Sequence, residues 1–169
     1  MSDTKTIYTS LKNADLACIS AKLAIQNYLK NTHIKELRRY TKWTLMGSDL
    51  TPETLEKILT DSYYIANPNK ESASTESLPN HSKWTQYHAD VRLKEGYLDT
   101  YTRDKINQTF NTKIDQLSKS TLWCLFTEDD YSPKQEASIL ESVVSTNSQR
   151  DGLLANPLYE DIAFSHYHV

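Results

Sequence analysis

Residues 7–28 read IYTSLKNADLACISAKLAIQNY, and Ile7, Leu11, Ala14, Cys18, Ala21, Ile25 and Tyr28 recur along them at alternating spacings of four and three. On a helix that spacing sets all seven on one side, as an a/d seam running through about three heptads. Asp3 stands where a cap belongs, and residues 4–30 contain neither glycine nor proline. Small side chains at Ala14, Cys18 and Ala21 let a second helix approach closely. The stretch therefore predicts a long N-terminal helix. Its seam packs inside a helical bundle or, in the alternative, against a second copy as a short coiled coil.

Working outward, Thr32 and His33 open a second helical stretch to about Met46, closed by Gly47 as a left-handed cap. Thr51-Pro52-Glu53 reads as cap, first-turn proline and first-turn acid, followed by the apolar stripe Leu55, Ile58, Leu59 and Tyr63. Residues 67–81 carry two prolines and almost no apolar side chain, which predicts a mobile polar loop. Ser82 then caps a helix bearing Trp84, Tyr87, Val91 and Leu98, and Ile106, Phe110, Ile114 and Leu117 continue the three-to-four spacing. Leu122–Phe126 reads equally as a buried helix end or a short buried strand. Ser132-Pro133-Lys134-Gln135 is a capping box, opening a last helix through Ala137, Leu140 and Val144. The expected fold is mainly α: one domain over residues 1–152 with five or six helices, then an irregular tail over 153–169. Only three glycines in 169 residues agree with helices joined by polar connectors rather than with a barrel.

The net charge of −3 gives no overall reason to bind nucleic acid, but the charge is unevenly spread. Residues 1–50 carry eight cations against four acids, and residues 127–169 carry two against eight. Lys35, Arg38, Arg39 and Lys42 fall at i, i+3, i+4 and i+7, with Tyr40 and Trp43 beside them. On the expected second helix they form a basic face, fit for an acidic protein partner or, less well, for the phosphates of a nucleic acid. The plainer reading is a solvated helix face. Eleven tyrosines against three phenylalanines favour surfaces that are alternately wet and covered.

Catalytic signals are absent from the chain's motifs: no GxSxG, no HExxH and no CxxC occurs. His81 and His88 stand seven apart, too far for one metal on one helix, which counts against a metal-dependent hydrolase. His166 and His168 flank Tyr167 near the end, and Asn156-Pro157-Leu158-Tyr159 has the form NPxY, plainly read as a turn that anchors its neighbours. Cys18 and Cys124 sit among apolar neighbours and suit a reducing compartment such as the cytoplasm. No run is long and apolar enough for a membrane helix. These observations predict no cofactor and no metal site. They predict a non-enzymatic helical interaction protein: an adaptor, a stoichiometric inhibitor or a self-assembling subunit, viral or phage in composition, whose contact set is Lys35, Arg38, Arg39, Tyr40, Lys42 and Trp43.

Overall fold

The computed structural model of the chain describes residues 2–75, 78, 83–146 and 152–167. Within them the chain runs β1 (Asp3–Leu11), α1 (Leu16–Asn27), β2 (Ile34–Ser48), α2 (Pro52–Thr60), β3 (Glu71–Ser74), β4 (Thr85–Leu93), α3 (Thr100–Phe110), β5 (Lys113–Thr127), α4 (Pro133–Ile139), a π-helical turn (Leu140–Val144) and β6 (Glu160–His166). The strands form an antiparallel sheet in the order β3-β1-β2-β5-β4-β6. This α+β architecture overturns the expected mainly α bundle.

The correction begins inside the opening stretch. Ile7 and Leu11 keep helical spacing, but they lie in β1, where the buried positions Ile7 and Thr9 alternate instead. Thr4, Thr6, Ile7, Tyr8 and Thr9 are β-branched or aromatic, and they fit a pleated surface once β2 lies alongside. Chain direction changes before Asp15, whose carboxylate caps α1 by accepting from the Cys18 N–H at 3.1 Å. Only the second half of the seam is real: Cys18 and Ile25 are the buried residues of α1.

Residues 32–46 follow the same logic. Trp43, Leu45 and Gly47 are buried in alternation along β2, and Ile7 faces Trp43 in the β1–β2 register. Gly47 is no left-handed cap. A Cβ there would collide with the Lys113 carbonyl oxygen, so glycine admits the start of β5. Trp84 precedes and Tyr87 and Val91 lie in β4 rather than in a helix, while Ile114, Leu117 and Leu122–Phe126 all belong to β5. The expected loop holds β3, and the expected irregular tail holds β6. Ser82, His81 and His168 lie outside the described residues. Two expected helix starts are present. Thr51 caps α2 with Pro52 in its first turn, and Ser132 and Gln135 form the capping box of α4.

The chain divides into two compact units, residues 1–13, 40–78 and 95–120, and residues 14–39, 79–94 and 121–169. In the first, Ile7, Trp43, Leu45, Ile114 and Leu117 from the strands bury against Leu55 and Ile58 of α2 and Ile106 of α3. In the second, Leu37, Tyr87, Ala89, Val91, Trp123 and Leu125 bury against Cys18 and Ile25 of α1, Ile139 of α4 and Val143 and Val144 of the π-turn. Tyr87, 1 % exposed, centres that core. Its ring stacks on Tyr131, Phe164 and His166, and its hydroxyl oxygen accepts from the Tyr131 N–H at 2.6 Å. No described helix is long and apolar enough to cross a membrane.

Candidate interaction surface

Side chains on a strand alternate between faces, so β2 cannot present Lys35, Arg38, Arg39 and Lys42 as one stripe. The chain's own acids and rings hold them instead. Lys35 Nζ lies 3.4 Å from Glu128. Arg38 Nε lies 2.5 Å from Glu36, with its guanidinium 5.1 Å from the Phe126 ring centre. Arg39 forks onto both Asp15 oxygens at 2.8 and 2.9 Å and lies 5.7 Å from the Trp123 ring centre. A bidentate, partly buried pair of this kind ranks among the stronger ionic contacts, and it ties β2 to the cap of α1. Lys42 faces Tyr8 across the β1–β2 ladder and is also engaged within the chain. Tyr40 meets Tyr8 edge-on at 6.5 Å, and Trp43 is buried with Lys119 Nζ 5.0 Å from its ring centre. The six residues sit on one strand, yet they do not compose one face.

The cysteines are placed as structural groups. Cys124 lies opposite His88 in the β4–β5 register, a juxtaposition that resembles a nucleophile beside its base. Its burial decides against that chemistry: it raises the Cys124 thiol to about 12, against the lowering effect of a Gln86 hydrogen bond. A thiolate is the competent nucleophile, and this thiol stays protonated at neutral pH. Cys18 donates to the Leu37 carbonyl at 3.2 Å, and burial raises it to about 11. His88 bonds Gln86 at 2.7 Å and stacks on Tyr167 at 4.3 Å. His166 projects from the opposite face of the sheet, onto Tyr87. Among the described residues no three histidine, cysteine, aspartate or glutamate side chains gather with metal-binding geometry.

Among the described residues each unit has an open cleft. One, of about 660 Å³, lies between α2 and β3, lined by Glu56, Leu59, Ala66 and Ala73 with Lys12 at its side. The other, about 620 Å³, brings Lys94 together with Glu141, Glu160 and Asp161, beside Leu140 and Ile162. Lys94 donates to the Pro157 carbonyl at 2.7 Å. The expected NPxY turn is present, with the Leu158 N–H bonded to the Asn156 side chain at 3.0 Å, and Leu158 and Tyr159 are exposed rather than anchored.

The feature that the seam reading missed is on the other side of α1. Leu16, Ile19 and Leu23, at i, i+3 and i+7, point outward and are 73, 46 and 51 % exposed. Eight of the twelve α1 residues are apolar, so the helix is hydrophobic on both sides. A surface helix ordinarily keeps one apolar stripe against its core and polar residues outside. That signal was available: a helix apolar all round needs cover on two sides. No protein-family model, no curated protein and no solved structure matches this chain.

Proposed function

We propose that this protein works as a protein-interaction module, acting by surface complementarity rather than by catalysis, and that a partner docks on the outer face of α1. The observation that carries the reading is the exposed Leu16–Ile19–Leu23 stripe on a helix whose opposite side already fills a core. Full burial of a leucine or isoleucine side chain is worth roughly 1.5–3 kcal/mol, so a partner that covers all three gains several kcal/mol. Lys22 flanks the stripe, and Asp15, the nearest acid, is committed to Arg39. An apolar groove with an acidic rim is the partner surface that fits. Cytoplasmic residence suits two buried free thiols. A nucleic-acid role has less support, because Lys35, Arg38 and Arg39 already have acids of their own chain against them.

A photo-crosslinking amino acid at position 23, compared with one at the exposed Lys57, tests the reading in the native host. A defined protein adduct at 23, absent at 57 and lost when Leu16 and Ile19 are changed to serine, is the expected result. Equal labelling at both positions, with the serine variant's native complex unchanged in mass, overturns it.

A further inference from the structure

The opposite ends of the β4–β6 ladder show which way the backbone of β6 points. Lys94 N–H donates to the Tyr159 carbonyl and Tyr167 N–H to the Gln86 carbonyl, both at 2.9 Å. Register between them is unbroken, from Leu93↔Glu160 to Tyr87↔His166. In an antiparallel ladder alternate residues turn their N–H and C=O to the neighbour. The odd residues of β6 therefore bond β4, and Ile162, Phe164 and His166 direct their backbone groups to the outside. In the strand order β6 has β4 on one side and ends the sheet on the other. Every residue of β6 is partly or fully exposed.

We infer that β6 pairs with β6 of a second copy of this chain, antiparallel, about a two-fold axis at Ala163. The strand is complementary to itself in that register. Ile162 comes opposite Phe164 of the other copy on both sides of the axis, an apolar and aromatic cross-strand pair. Glu160 comes opposite His166, Asp161 opposite Ser165, and Ala163 opposite Ala163, so no like charges stand face to face. Ile162 and Phe164 form hydrogen-bonded pairs and exchange four backbone bonds around the centre. Their side chains lie on the face where they already pack against the second unit's core. Sliding the partner by two residues sets Ile162 opposite His166, or Glu160 opposite Phe164, and loses the match. Residues 162–166 contain no lysine, proline or other device that blunts an edge strand. An isologous contact of this kind closes at two copies. The inference is independent of the α1 reading, and the failure of either leaves the other standing.

The test uses the full chain. Ile162→Pro removes an outward N–H and leaves the β4 ladder intact, since proline is tolerated at an edge position whose N–H faces away. Sedimentation at about 100 µM should give a dimer for the native chain and a folded monomer for this variant, with the dissociation constant at least about 100-fold weaker. Ala163→Cys supplies a second readout. In the proposed register the two Ala163 positions form a non-hydrogen-bonded pair about 4.5 Å apart at Cα, within disulfide reach. Oxidised glutathione should link Ala163→Cys chains rapidly and Ser165→Cys chains slowly, while buried Cys18 and Cys124 stay out of the reaction. A monomeric native chain overturns the inference, and so does Ser165→Cys linking as fast as Ala163→Cys.

Discussion

The two edges of the sheet are protected to different degrees. β3 is a four-residue strand of Glu71, Ser72, Ala73 and Ser74, and its pairing with β1 ends at Tyr8↔Ser74. Its ladder bonds fall on the even residues, in phase with Lys12 N–H to the Lys70 carbonyl. Of the outward groups, the Glu71 N–H is already spent on the Asn67 carbonyl at 2.7 Å, and Glu71 Oε2 accepts from the Asn67 N–H. Little of that edge remains for another strand. β6 runs for seven residues, and at its start the Glu160 N–H reaches the Asn156 carbonyl. An edge is kept solitary by brevity and by bonds folded back within the chain; β3 has both, and β6 is the longer strand by three residues.

The largest effect expected from breaking this contrast lies under β6. Tyr87→Ala removes the ring that carries Phe164 and His166 and should cost about 3–5 kcal/mol in chemical denaturation. Hydrogen exchange should show β6 amides losing protection first. An unaltered β6 would mean that the edge strand is held by its ladder alone. At the other edge, Ser72→Pro removes a bond to β1 and should cost about 1–3 kcal/mol, whereas Ala73→Pro, with its N–H outward, should cost under about 1 kcal/mol. Equal losses would show that the ladder phase assigned to β3 is wrong.

Between the edges, Cys124 on β5 offers a pH probe of the sheet interior. Its folded thiol, pushed up to about 12 by burial, holds its proton where the unfolded thiol, near 9.0, has lost it. The folded state thus binds more protons between these values, and stability falls as pH rises through them. Cys124 alone contributes about 1.4 kcal/mol per pH unit to that slope. Cys124→Ala should flatten the decline by that amount above pH 9.5, and an unchanged slope would place the thiol in water. The smallest effect belongs to α1: Leu16→Ser should alter the stability of the isolated chain by less than about 1 kcal/mol, because nearly three quarters of that side chain is already in solvent. A larger loss would mean that the stripe serves this chain's own core.

Part of this architecture is legible in the residues. Thr51-Pro52-Glu53 and Ser132-Pro133-Lys134-Gln135 are read correctly, because a cap is satisfied within three residues and needs nothing from the rest of the chain. Cys18, Ala21 and Ile25 are read correctly because their three-to-four spacing falls on a stretch that does form a helix. The strands are not. Ile7 and Leu11, Tyr87 and Val91, and Ile114 and Leu117 all keep spacings of three or four that suit a helix, yet lie on strands. β1 and β4 have too few residues for a period of two to outweigh a chance period near 3.6, and β5, though fifteen residues long, buries Ile114 and Leu117 three apart without alternation. Thr4, Thr6, Thr9, Thr41 and Thr44, weak helix formers beside the apolar positions, were the available hint.

The basic set shows the same division between local and distant information. Sequence placed Lys35, Arg38, Arg39 and Lys42 near one another, and Glu36 meets Arg38 from two residues away, but Glu128 and Asp15 reach Lys35 and Arg39 from other parts of the chain. Helix caps followed from residues a few positions apart, whose interactions close locally. Which stretches became strands, and which acids met Lys35 and Arg39, were decided by contacts across tens of residues. A strand's hydrogen bonds belong to its neighbour, so its identity exists only once that neighbour is in place.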